Sequence, residues 1–385
     1  MLSNSLLLLG LAPANALGSI LYATHYAGTL SVLSLTDDSL TVVSSEKNCG
    51  PQPSWVTFDS ANQVLYCVNE LNQGGTLNAF DVDAEGALTA VASANLPGNP
   101  VHSSLYGGED GISFQAFAHY GGAQISTIAL PITDDSEILQ SFAYTMDGPG
   151  PDPSRQEAPH PHMAAVDPTG GFIIVPDLGA DLLRIYSVDK PTGFLTSCAN
   201  VTATPGSGPR HVAFWEAGGA GGTMMYLTNE LSLDVTVYSV AYPEEEGGCI
   251  SLVSIQTEKS YPTDQEAKDG QKGGEIRVSG NFVLASNRAD ETFGHFNDSI
   301  AVFPIDASGA ISTPVMSPTY GTYPRTMQVN AAGDLVAIGN QDSGTVVIVS
   351  RDPATGVLGA EVASVSVGPT GYNGVGGLSS VAWAE

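Results

Sequence analysis

From Ile20 to the end of the chain, apolar and polar residues alternate in short runs, each bounded by Gly, Pro, Asn or Asp. Runs such as "LLRIYSVD", "DVTVYSV", "SIAVFPID" and "TVVIVSRD" keep a period of two. That is the signature of a strand with one face buried, and no long stretch shows the 3.6 period of a helix. One kind of segment recurs, opening on Pro or Gly and running into an apolar strand. Its copies are "PSWVTF" at Pro53, "PVHSSL" at Pro100, "PHMAAV" at Pro161, "PRHVAF" at Pro209, "GEIRVS" at Gly274, "PRTMQV" at Pro324 and "GLSSVAW" at Gly377. Successive starts lie 47, 61, 48, 65, 50 and 53 residues apart. A period near 50 is that of propeller blades.

Each copy continues in the same way. A turn leads to a second strand that closes on a polar pair, as in "YCVNE", "FAHY", "VPDL", "YLTNE", "LASNR" and "AIGNQ". A third alternating strand and a shorter outer one follow. The seventh copy has only its first strand, and three further strands stand at the other end of the chain, in "ILYATHY", "TLSVLSL" and "SLTVVSS". Joining them closes a ring and removes two exposed sheet edges. The expectation is an all-β, seven-bladed β-propeller of four-stranded antiparallel blades, closed by one C-terminal and three N-terminal strands.

Composition adds to this picture. The 44 Gly and 24 Pro are spread evenly, with no linker or low-complexity break, so 17–385 reads as one domain. Before it, the apolar run Leu6–Leu11 precedes Ala14-Asn15-Ala16. That is the shape of a secretory signal peptide over 1–16, although no Lys or Arg precedes the run, which is too short to span a membrane. Sequons at Asn200 and Asn297 fit a secreted glycoprotein. So do four cysteines, for which the expected pairs are the near neighbours Cys49–Cys67 and Cys198–Cys249. The formal net charge of −28 argues against nucleic acid and anionic membrane surfaces as partners. No partner protein is evident.

In a propeller, the residue after each opening Pro or Gly and the residue closing each polar pair face one axial mouth. The first set is Ser54, Val101, His162, Arg210, Glu275, Arg325 and Leu378. The second is Tyr26, Glu70, Tyr120, Leu178, Glu230, Arg288 and Gln341. The chain has seven arginines, and Arg210, Arg288 and Arg325 all fall on this face. Clustered guanidinium groups trap anions, and their planar fork suits a carboxylate. His160 belongs to the rim, and His211 follows Arg210 directly. The asparagines of the polar pairs (Asn69, Asn229, Asn287, Asn340) are expected to satisfy loop backbone groups. The facing arginines argue against a metal, "HPH" is too short for a zinc site, and no cofactor motif is present.

The segments "EAPHPHMAAVDPTGGFIIVPDLGADLLRIYSVD", "GPRHVAF", "YLTNELS" and "YPRTMQVNAAGDLVAIGNQDSGTVVIVSRDPATG" resemble the lactonase family of seven-bladed propellers. This family includes cycloisomerase-type 6-phosphogluconolactonases and the fungal 3-carboxy-cis,cis-muconate lactonizing enzyme. The resemblance implies a catalytic set of His162, Arg210, Glu230 and Arg288; positions at and around the mouth add His160, His211, Arg325, Glu70 and Gln341 as expected substrate contacts. It implies a small anionic lactone or carboxylate as substrate and no cofactor. Three functions follow as expectations: hydrolysis of a sugar-derived or aromatic-derived lactone, cyclization of a carboxymuconate, or non-catalytic binding of an anionic ligand or protein. In the first two, the arginines hold the anion and His162 or Glu230 moves the proton.

Overall fold

The computed structural model describes residues 18–217, 222–245, 247–262, 267 and 270–385. The expected signal peptide lies outside them. Seven antiparallel sheets form the blades, over 53–96, 100–143, 161–202, 209–259, 272–318 and 324–366, with the seventh assembled from both ends of the chain. In that closing blade Leu378–Trp383 pairs with Ser19–His25, which pairs with Thr29–Thr36, which pairs with Ser39–Glu46. The expected one-plus-three closure is therefore present. The third blade differs in its outer strand, which is broken into Phe194–Ser197 and Val201–Thr202, both pairing with Leu182–Asp189. Cys198, at the break, is bonded to Cys249 of the next blade, and Cys49 is bonded to Cys67, as the spacing suggested.

The alternation along each strand explains how the blades hold together. A strand offers odd residues to one neighbour and even residues to the other, since successive side chains point to opposite faces. Leu21 and Ala23 pack toward the sixth blade, while Tyr22 between them packs toward the first. The core is consequently seven apolar layers, one between each pair of adjacent blades. Each fully buried large side chain in a layer contributes about 1.5–3 kcal/mol. Three of the layers carry a buried tyrosine that reaches the outer turn of the following blade. Tyr22, Tyr106 and Tyr226 donate to the carbonyls of Gly86, Gly193 and Gly309, at 3.1, 2.7 and 2.8 Å.

Every inner strand begins with a one-residue bulge. Pro53 pairs with Asn69 and Trp55 with Val68, leaving Ser54 unpaired; Val101, Arg210, Arg325 and Ser379 are the counterparts. In the third blade Pro161 bridges Asp177, and His162 is the extra residue before the ladder resumes at Ala165. Bulges of this kind re-aim a side chain. Here they mark the positions on the axis.

This register corrects two of the expected mouth positions. Gly273 pairs with Asn287, and Leu378 with His25, so the counterparts of Ser54 are Gly274 and Ser379 rather than Glu275 and Leu378. These two blades lack the opening Pro, and adjacent glycines gave no unique phase. Glu275 sits one step deeper, and Leu378 joins the apolar layer between the sixth and closing blades. Three of the asparagines of the polar pairs bind loop groups, whereas Asn229 Nδ2 donates to the Asp234 and Thr236 side chains of the next strand. The Asn69 carbonyl oxygen accepts from Gln52 N–H, and the amides of Asn287 and Asn340 donate to Ser260 and Thr319 carbonyls. Of the sequon residues, Asn200 is exposed, whereas Asn297 is half-buried and its carbonyl oxygen accepts from Tyr320 N–H.

A methyl group on Gly377, where the closing strand begins, would lie 1.9 Å from the Gln341 carbonyl oxygen, and φ there is +75°. A side chain held in that region costs roughly 1–3 kcal/mol before any clash is counted. Gly377→Ala is therefore expected to lower the urea midpoint by at least about 1 kcal/mol of stability; an unchanged midpoint would show that closure tolerates a displaced start.

Candidate active site

A cavity of about 620 Å³ opens on the axis at the end where the inner strands begin. Of the expected catalytic residues, His162, Glu230 and Arg288 line it, and Arg210 lies directly beneath Glu230, 1% exposed. Of the expected substrate contacts, Glu70 and Arg325 line it. His160, His211 and Gln341 stand behind the wall, and each has a supporting partner there.

Glu230 organises one side of the cavity. Its Oε2 accepts from Arg210 Nε at 3.1 Å and pairs with Arg288 Nη2 at 2.7 Å; its Oε1 accepts from Arg155 Nη2 at 2.5 Å. Burial alone would raise this carboxyl, but Arg288, Arg155 and Arg210 together hold it well below the usual carboxylate range. The guanidiniums are tied down in turn. Arg210 Nη1 donates to the Gly274 carbonyl at 2.9 Å, and Arg288 donates through Nε and Nη2 to the Gly273 carbonyl. Burial and the adjacent Arg288 push Arg210 down to about 9, which leaves it charged at neutral pH.

Sequence reasoning did not single out Arg155. It sits in the loop before the third blade, where no strand period marks it. Buried Gln156 anchors that loop, donating to the Leu178 carbonyl at 2.9 Å while its backbone N–H and carbonyl close the turn on Asp152 and Gly150. Arg155 Nη2 also donates to the Tyr120 hydroxyl at 3.3 Å, and the His160 ring stacks on Tyr120 with centroids 4.2 Å apart. His160 Nδ1 lies 3.0 Å from the Tyr120 carbonyl and its backbone N–H donates to Asp177, so its place is as a support for Tyr120 and Arg155. Among the described residues, Arg155 Nη1 has no partner.

Across the cavity, Arg325 Nη2 donates to the Tyr26 hydroxyl at 3.1 Å, and Tyr26 donates to Glu70 Oε2 at 2.8 Å. Burial raises the Glu70 carboxyl, with Arg325 and Tyr26 opposing. The two carboxyls of the cavity are thus pushed in opposite directions. The segment 373–376 and Lys272 complete the wall. The amide of Gln341 donates to the carbonyls of Gly374 and Gly376, 2.9 Å each, and so clamps that segment.

A file of buried side chains runs inward from His162. Its Nδ1 lies 3.0 Å from His211 Nε2, and His211 Nδ1 lies 2.8 Å from Glu275 Oε1. Burial, then Arg210, hold both imidazoles well below their ordinary value, and burial with His211 does the same for His102. His162 is therefore a neutral ring at pH 7 on a wall that also carries Arg155, Arg288 and Arg325. Among the described residues no group of three or more His, Cys, Asp or Glu converges as a metal site.

The profile of the family described as "Lactonase, 7-bladed beta-propeller" matches residues 20–372. The Arthroderma benhamiae protein named "Probable 6-phosphogluconolactonase" is 32% identical over 356 residues, covering 91% of this chain and 84% of that protein. The 6-phosphogluconolactonase of Bacillus subtilis is 29% identical, covering 82% and 84%. Among solved structures, the periplasmic gluconolactonase of Pseudomonas aeruginosa superposes with a TM-score of 0.76 at 25% identity, covering 95% of this chain and 98% of that one.

Two stability measurements follow from the site. Glu230→Gln leaves three guanidiniums, two of them buried, without their shared carboxylate and should cost about 3–5 kcal/mol, the usual effect of breaking a buried pair, read as a lower melting temperature. The second concerns acid. His102, His162 and His211 resist protonation when folded, whereas the unfolded chain takes up those protons near pH 6.5. Stability should therefore fall as pH drops below about 6.5. The Glu230 contribution has the same sign but is lost only below its unfolded value of about 4.3. A urea midpoint equal at pH 7.5 and pH 5 would contradict this.

Proposed function

Because this chain belongs to the lactonase family of seven-bladed β-propellers, we propose that its axial cavity hydrolyses a small anionic lactone of the sugar-acid type, with His162 as general base. The observation that carries the reading is a neutral, buried imidazole on the wall of a cavity lined by arginines. Glu230, already shared among three guanidiniums, is a poor proton acceptor and serves to hold them. His162 takes a proton from a water molecule as its oxygen bonds to the lactone carbonyl carbon. Arg325, whose one hydrogen bond among the described residues goes to Tyr26, meets the charge that develops on the carbonyl oxygen, a role worth roughly 3–4 kcal/mol for one preorganised donor. The ring C–O bond then breaks, and the departing oxygen recovers the proton from His162, giving the open hydroxy acid. Arg155, on the cavity wall with its side chain 23% exposed, is assigned the substrate's anionic group.

The cyclization reading needs Arg210 and Arg288 to hold two carboxylates. Arg210 is sealed under Glu230 and Arg288 is spent on Glu230 and Gly273, so the geometry favours hydrolysis. The proposed setting is extracellular, supported by two disulfides and an exposed sequon at Asn200.

The test is a pH-indicator assay on phosphorylated and unphosphorylated gluconolactone and on aromatic-derived lactones. His162→Gln should lower kcat at least about 100-fold while the protein stays folded. Arg155→Met should raise KM for the phosphorylated lactone and leave the neutral one unaffected. The acid limb of kcat/KM should lie below pH 6.5, because burial keeps His162 deprotonated to lower pH than a free imidazole. No turnover across the panel, or full activity in His162→Gln, would sink the reading and favour a binding role.

A further inference from the structure

We propose that Glu275 and His211 are positioning residues that fix the tautomer of His162, so that its Nε2 stands as a bare acceptor at the cavity. The inference rests on the reading of His162 as the base. Its argument is a count of donors. Glu275 Oε1 receives the Ile276 N–H at 3.1 Å and Arg277 Nη1 at 2.9 Å, and neither of those groups can accept a hydrogen bond. Oε1 is therefore an acceptor, and His211 Nδ1, 2.8 Å away, must carry a hydrogen toward it. In a neutral imidazole the other nitrogen is then a lone pair. His211 Nε2 accordingly accepts from His162 Nδ1 at 3.0 Å, and the hydrogen of His162 is committed to Nδ1. Among the described residues its Nε2 has no hydrogen-bond partner, and the ring lies on the cavity wall.

The arrangement is built rather than incidental. Glu275, His211 and His162 come from three successive blades, and all are at most 5% exposed. The His211 ring is held edge-on against Trp55, His102 and His162, with centroids 5.9, 5.4 and 4.9 Å apart. A free neutral histidine favours hydrogen on Nε2, the form that could not take a proton from water at that atom. Selecting the other form with a buried carboxylate acting through an intermediary is the logic of a catalytic triad, lengthened here by one imidazole. When His162 takes up a proton, its Nδ1–H still donates to His211, and the Glu275 charge lies in line to stabilise the cation. The other charged or titratable groups facing these rings are Arg210, Glu230, Arg325 and Tyr120 around His162, and His102, Arg277, Arg210, Arg288 and Arg325 around His211.

The test uses the full chain labelled with 15N at histidine, recorded at pH 7.5 by long-range 1H–15N correlation. Spectra of His162→Gln and His211→Gln give the assignments. Both rings should show hydrogen on Nδ1. Hydrogen on Nε2 of His162 would overturn the proposal, and this readout needs neither substrate nor a variant of Glu275. In Glu275→Leu, which removes the acceptor, His162 should lose its fixed tautomer, kcat should fall about 100-fold with KM within about twofold, and the acid limb of the pH profile should move to lower pH. Glu275→Asp, which keeps an acceptor, should retain more activity. A Glu275→Leu protein that loses activity while both Nδ1 signals persist would show a merely structural role and overturn the assignment. A wild-type protein inactive on every lactone would sink the proposed reaction instead, with the spectrum still reporting on the tautomer.

Discussion

One buried carboxylate holds the centre of this molecule together. Glu230 is the shared counter-ion of Arg155, Arg210 and Arg288, brought from a loop, a bulge and a strand end on three parts of the ring. Three guanidiniums this close would repel one another strongly in a poorly polarisable interior. With Glu230 among them they become a framework, and much of the chemistry follows from which donors that framework uses up. Arg210 and Arg288 have little left to offer a ligand. Arg155 and Arg325 keep donors for one. Glu230 surrenders its basicity to the same arrangement, and in the proposed reaction the neutral imidazole beside it, His162, moves the proton.

The fold supplies this arrangement by repetition with variation. Seven bulges at equivalent places set seven residues toward the axis, and the chain fills those places with Ser, Val, His, Arg, Gly, Arg and Ser. Gly274 matters as much as its charged counterparts. A Cβ there would meet Ser286 Oγ at 2.4 Å, and its bare carbonyl receives Arg210. The net charge of −28 is carried largely outside, so a cationic axis is set within an acidic body. A low-dielectric funnel of opposite sign to its surroundings concentrates field on any anion that enters.

The ring was readable in the sequence because its cause is local. Alternation and a Pro-marked strand start recur in five of the seven inner strands, and both survive without knowledge of tertiary contacts. The phase failed where that marker was missing, at Gly274 and Gly377. The axial positions of His162, Glu230 and Arg288 could be read from the repeat, since a period fixes which end of a strand faces the mouth. The depth of a side chain could not be read. Arg210 and His211 look alike as neighbours of the axis, yet one is sealed under a carboxylate and the other stands behind a second imidazole. Arg155 was illegible for a different reason: its place is set by Gln156 and Tyr120 through an irregular loop, which no period encodes. His160 drew notice by its closeness to His162 in the chain, but Gly179 and Asp177 of the neighbouring strand end hold it turned toward Tyr120.

The seventh blade ties the timing of assembly to the birth of the cavity. Tyr26 is laid down with the earliest strand of the ring, and the segment 373–376 with the last, yet both form part of one wall. During synthesis, six blades can be complete while the pocket still gapes along one side. The wall is therefore complete only once Leu378–Trp383 has paired with Ser19–His25 and closed the ring.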